Sequence, residues 1–262
     1  MGAILAKSDR PQSTCNINVT GIRRRDLLTG TALLVAGGKP VRAELISGHL
    51  PSRPGAAAPP QTVKPGPWTF FTEAEAAVLG AIADRIIPPD LQTAGGKDAG
   101  CVVFVDRQLT GPYGRHEGLY AAGPFRPGTP AQGPQSSETP RELYRSGLAA
   151  LDRYCRGGTP PKAFLELTAA EQDDVLRGLE SGAVKLEDVE AKTFFEQILQ
   201  DIQQGFFADP VYGGNHDMCA WKMIGFPGAR YDYTDWVGRH NERYPHPPVS
   251  IAGRPDWNAR PR

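Results

Sequence analysis

Most signatures of a self-sufficient catalyst are missing from this chain. No Gly-x-Gly-x-x-Gly follows a strand-like run, which excludes a dinucleotide site of the usual kind. Gly-x-Ser-x-Gly is absent, and with it the serine nucleophile turn of hydrolases. No Cys-x-x-Cys occurs, which removes the usual ligand spacing of iron–sulfur clusters and structural zinc, and no Cys-x-x-Cys-His anchors a haem. An excess of one charge is also lacking: 29 Lys and Arg balance 29 Asp and Glu, so nothing suggests the net basic face that nucleic-acid binding needs. No apolar run reaches the ~20 residues needed to span a bilayer as a helix. No period of ~20–50 residues repeats, which excludes a solenoid.

The five histidines, His49, His116, His216, His240 and His246, are scattered. Only His216 and Cys219, three apart with Asp217 between them, would share a helix face. That pair lacks two further ligands for a metal site. The expectation is therefore no catalytic, cofactor-binding or metal-ligating residue in this chain. Its Glu and Asp read as solvated helix faces. Cys15, Cys101, Cys155 and Cys219 are widely spread, and in an oxidising compartment the last three would allow one internal bridge, of unspecified pairing, plus a spare thiol, or a bridge to a partner.

Proline and glycine, by contrast, are plentiful, at 25 and 30 of 262 residues, and imply many ordered loops between short elements. The N-terminal part reads as an address. Arg23-Arg24-Arg25-Asp26-Leu27-Leu28 has the form of a twin-arginine export signal, with Arg24 and Arg25 as the pair and Leu27 and Leu28 as the apolar follow-on. A short apolar run to Val35 and a small-residue cleavage site at Val41-Arg42-Ala43 follow in the expected order. Residues 1–43 are thus expected to be removed on export, and 44–67, rich in Pro and Ala, to be a tether.

Helical signals fill the next part. Thr72-Glu73-Ala74-Glu75 is a capping box, and Val78, Leu79, Ile82 and Ile86 form a stripe ended by Pro88-Pro89. Thr139-Pro140-Arg141-Glu142 and Thr168-Ala169-Ala170-Glu171 are two more boxes, each followed by an apolar face and a glycine stop. Phe194, Phe195, Ile198, Leu199, Ile202 and Phe206 trace the strongest stripe. The segment from Cys101 to Leu109 reads as a buried strand on local propensity, or as a helix capped by Asp98. Between Gly111 and Pro140 lies a long Gly/Pro/Ser-rich segment with Tyr113, His116, Tyr120 and Phe125: a partner-facing arm or a disordered insertion. The sum is an all-α fold, a bundle-like single domain over 68–245 with long ordered loops, and an extended tail over 246–262 that is disordered past Gly253.

One loop stands apart. Gly205-Phe206-Phe207-Ala208-Asp209-Pro210-Val211-Tyr212-Gly213-Gly214-Asn215 joins an aromatic pair, a helix-stopping Asp-Pro and a Gly-Gly-Asn turn, and reads as rigid and surface-facing. It continues into Asp217-Met218-Cys219-Ala220-Trp221-Lys222-Met223-Ile224-Gly225-Phe226-Pro227-Gly228. Aromatic residues on rigid loops make good interface anchors, because they bury much area at little entropy cost. Asp209, Pro210, Tyr212, Gly213, Gly214, Asn215, Trp221 and Phe226 are accordingly the candidate partner interface.

This loop, with Ala81-Ile82-Ala83-Asp84-Arg85-Ile86-Ile87-Pro88, resembles the gluconate 2-dehydrogenase subunit 3 family, the small subunit of membrane-bound flavin dehydrogenase complexes. The resemblance implies a helper without catalytic residues that carries the twin-arginine signal for the translocase and escorts, matures and stabilises a folded partner. That partner would be a large flavoprotein of the glucose–methanol–choline type holding FAD. A multi-haem cytochrome c subunit would pass electrons to quinone at the periplasmic face of the inner membrane. The resemblance also favours a helix at Cys101. Against it stands a free-standing exported binding protein with no flavoprotein mate.

Overall fold

The computed structural model describes residues 62–117, 123–126, 128–129, 136–230 and 233–253. The export signal, most of the tether, Tyr120 and the chain beyond Gly253 lie outside the described residues. Among the described residues six α-helices carry the fold: α1 (Glu73–Ile86), α2 (Cys101–Thr110), α3 (Pro140–Arg156), α4 (Ala169–Ser181), α5 (Ala191–Phe207) and α6 (Cys219–Ile224). Among the described residues the only β pairings are two isolated bridges, and the architecture is all-α.

The three capping boxes form as the sequence implies. Thr72, Thr139 and Thr168 each accept from the backbone N–H three residues on, while Glu75, Glu142 and Glu171 reach back to the cap N–H. The boxes satisfy orphan donors and place a carboxylate at the positive end of each helix dipole.

α5 is the hub, packed against α1, α2, α3 and α4. Its Phe194, Ile198 and Ile202 are almost wholly buried, together with Leu79 and Ile82 of α1, Val105 and Leu109 of α2, Tyr144 and Leu151 of α3 and Leu179 of α4. Each such apolar side chain contributes about 1.5–3 kcal/mol on leaving water. An edge-to-face aromatic chain, Phe70–Phe71–Tyr144–Phe194, runs through this core with centroid spacings of 5.0, 5.7 and 6.4 Å.

Residues 101–110 are a helix, not a strand. Cys101, Val102, Val105 and Leu109 fall on one helical face and are buried there, so packing overrides the β-propensity of the Val-rich run. Asp98 does not cap it. Gly100 holds the N-cap position with φ 84°, and Cys101 N–H donates to the Gly96 carbonyl at 3.1 Å.

Two ties locate the helices. Arg85 of α1 grips Asp173 of α4 with two parallel bonds of 2.6 and 2.9 Å, and Asp84 accepts from Lys97 N–H at 2.9 Å, folding the chain after Pro88-Pro89 back onto α1. Asp106 of α2 is fully buried and accepts from the backbone N–H of Phe70 and Phe71 at 2.9 and 3.0 Å, from Thr69 N–H at 2.9 Å and from the Thr69 hydroxyl at 2.6 Å, with Arg107 alongside. Burial alone would raise its pKa; the hydrogen bonds from Thr69, Phe71 and Phe70 outweigh that and hold it below the ordinary value.

Candidate partner-docking site

The Asp-Pro-x-Tyr-Gly-Gly-Asn loop leaves α5 at Phe207 and turns inward before it reaches α6. Asp209 caps the turn at Pro210–Tyr212, accepting from Val211 N–H at 3.0 Å. Gly213 has φ 94°, closed to most side chains, and a Cβ there would stand 2.9 Å from Val63. Gly214 lies so close to α5 that a Cβ would overlap the Gly205 carbonyl. Asn215, left-handed at φ 48° and fully buried, locks the turn: its amide donates to the Ala208 carbonyl at 2.9 Å and its oxygen accepts from Ala220 N–H at 2.9 Å. Asp217 and Met218 are also left-handed, so strain concentrates in this turn.

The candidate residues therefore divide. Gly213, Gly214, Asn215 and Trp221 are buried and build the frame; Asp209 and Pro210 are half-buried. Trp221 donates its indole N–H to the Phe207 carbonyl at 2.9 Å, which ties α6 to the end of α5. The loop faces inward for half its length, where the sequence suggested a surface-facing one. The reason is glycine: without Cβ atoms the backbone of 213–214 approaches α5 and α2 too closely for solvent to remain.

What faces outward is a rim around that frame. Tyr212 and Phe226 of the candidate set are 44% exposed, joined by Phe207 at 44%, Met223 at 51% and Ile224 at 57%. Phe226 stands edge-on to Trp221 with centroids 5.1 Å apart. Beside them a cleft of about 390 Å³ runs between α6 and the extended segment 243–248, walled by Trp221, Phe226, Arg243, Tyr244, His246 and Pro248. Buried frame and exposed aromatic rim together make a stiff apolar surface suited to a protein partner.

Other contributors are not legible in the motif. The chain after Pro248 returns to the loop: Ser250 and Ile251 donate to Asp209 at 2.6 and 2.7 Å, and Val249, fully buried, pairs with the Gly228 segment. The start of the tail is thus an integral strap. Under α5, Asp201 is 2% exposed and accepts the hydroxyls of Tyr113 and Tyr144 at 2.7 and 3.0 Å. Burial pushes the Asp201 carboxyl up to about 6 against the lowering effect of these bonds, and pushes both tyrosines above their ordinary value. Tyr113 therefore belongs to the core and not to a projecting arm. The only trace of this cluster in the sequence is that Asp201 precedes Ile202 on the Phe194–Phe206 stripe, which by itself does not tell a buried carboxylate from a solvated one. Among the described residues no group of three His, Cys, Asp or Glu side chains converges as a metal-ligand set, and His216 with Cys219 gains no third ligand.

The family model of gluconate 2-dehydrogenase subunit 3 matches residues 73–228, from the first residue of α1 to the glycine that follows the aromatic rim. That is more than half of the chain. The chain belongs to the gluconate 2-dehydrogenase subunit 3 family. No curated protein and no solved structure matches it. As a subunit 3 protein it is of the accessory type and implies dehydrogenase partners. Both resemblance blocks lie within the match: the Asp84-Arg85 helix end closes α1 onto α4, and the glycine-bent loop builds the rim.

Proposed function

We propose that this subunit 3 protein is the non-catalytic small subunit of an FAD-dependent dehydrogenase complex on the periplasmic side of the inner membrane. Its task is to escort the large flavoprotein through the twin-arginine translocase, to support its maturation and to stabilise it afterwards. FAD resides in the large, glucose–methanol–choline-type subunit and haem c in a cytochrome subunit that this chain meets only indirectly. The observation that carries the reading is the exposed rim of Phe207, Tyr212, Met223, Ile224 and Phe226 on a frame fixed by Asn215 and Trp221. Rigid aromatic and aliphatic anchors of this kind are what a lasting protein interface uses.

The address supports the same reading. Because twin-arginine export moves folded proteins, a signal on one subunit serves a partner that has already taken up its flavin. The test is Arg24→Lys with Arg25→Lys in cells that also make the flavoprotein. Flavin-bearing dehydrogenase should then accumulate in the cytoplasm and disappear from the periplasm. Unchanged periplasmic dehydrogenase activity would refute the escort role.

A further inference from the structure

We infer that Cys101 and Cys219 form a redox-active pair that closes to an intrachain disulfide in an oxidising compartment, bolting the start of α2 to the start of α6. The two residues open helices whose preceding turns are in contact. His216 N–H donates to the Ala99 carbonyl at 2.9 Å, joining the residue two before Cys101 to the residue three before Cys219. Between them Gly100 presses against the facing turn, where a Cβ would stand 2.6 Å from both the Gly213 carbonyl and the His216 imidazole. Cys101 is fully buried; Cys219 is partly exposed and packs against the same core.

Burial, and then the neighbouring Cys219, push the Cys101 thiol up to about 12. Cys155 belongs elsewhere: it sits in the last turn of α3, where burial and Asp152 set its thiol. Cys219, the more accessible of the pair, is the one that meets the oxidant. Burial raises the Cys219 thiol too, so it is its minor thiolate form that attacks a disulfide of the small-molecule or thiol-oxidase class and forms a mixed disulfide, releasing one thiol. Cys101 then displaces the second thiol and forms the Cys101–Cys219 bond. Two protons and two electrons leave the pair, and the oxidant's disulfide becomes two thiols.

The bond would close a loop of over a hundred residues that spans most of the core, so its effect on stability should be large. It would also hold the frame of the rim against α2. Its occupancy in the cell rests on the export reading; the competence of the pair does not.

The test is oxidation of the purified full-length chain with glutathione disulfide, followed by alkylation in denaturant and peptide mapping. Linked peptides bearing Cys101 and Cys219 are expected, with Cys155 still alkylated. Tm should rise by about 5–10 °C, reversibly on reduction. Cys219→Ser should abolish link and shift alike, while Cys155→Ser should change neither. Alkylation of Cys101 and Cys219 after oxidation, or a link from either of them to Cys15, to Cys155 or to a second chain, would overturn the pairing. Thiol trapping in intact cells reads the compartment separately: a pair that links in the tube but stays reduced in the cell counts against export and leaves the pairing standing.

Discussion

At the scale of single residues, Asp201 governs the most specific behaviour. Its folded pKa of about 6 lies above the ~3.9 of an unfolded aspartate, so the folded state binds the proton more tightly. The stabilisation is therefore fully present below about pH 4 and is lost as pH rises through about 6, a span worth on the order of 3 kcal/mol. The titratable groups facing it, Tyr113 and Tyr144, stay neutral throughout that window. Thermal melts from pH 5 to pH 7.5 should show Tm falling as pH rises, and Asp201→Asn should flatten the slope; an equal slope in the variant would reject this role. Gly214 makes a second case. Gly214→Ala should cost about 1–3 kcal/mol by overpacking against Gly205, measured by denaturant unfolding. The sequence singled out Gly214 because Gly-Gly-Asn is an unusual string. It gave Asp201 no such prominence, because one carboxylate inside a helical stripe looks like any solvated face until three elements close over it.

At the scale of elements, helix starts were legible and helix partners were not. A capping box is a local pattern of four residues, so Thr72, Thr139 and Thr168 could be placed by reading alone. The helix at Cys101 could not: its Val-rich run has strand propensity, its cap is a left-handed glycine, and burial against α5 decides the outcome. Asp106 shows what such packing adds. Asp106→Ala would orphan the buried N–H groups of Phe70 and Phe71 and release the segment before α1, at a cost of about 3 kcal/mol or more. Urea unfolding measures it. Because its folded pKa is depressed, the contribution of Asp106 is present above about pH 4 and fades as pH falls through the folded value, opposite in sense to Asp201. The Arg85–Asp173 fork, each side chain about a quarter exposed, should yield only about 1 kcal/mol in a double-mutant cycle, and less at high salt.

At the scale of the whole molecule, the helical class and the segment of interest are both legible in the sequence, because amphipathic stripes and a rare turn string survive in one dimension. The division of labour inside that segment was not. Whether Tyr212 faces water while Asn215 faces the core depends on how closely 213–214 approach α5, and the return of Ser250 to Asp209 joins residues 41 apart. The account's central claim is that the rim is the docking surface for a flavoprotein. The direct measurement is affinity purification of the tagged chain co-expressed with a candidate glucose–methanol–choline-type flavoprotein, comparing wild type with the Ile224→Asp, Phe226→Asp double variant. Both residues are exposed, so the variant should keep the wild-type Tm within a few degrees. The account predicts a large subunit with flavin absorbance co-eluting with wild type, and its loss from the folded variant. A wild-type chain that elutes alone, or a variant that retains the flavoprotein in full, would contradict it.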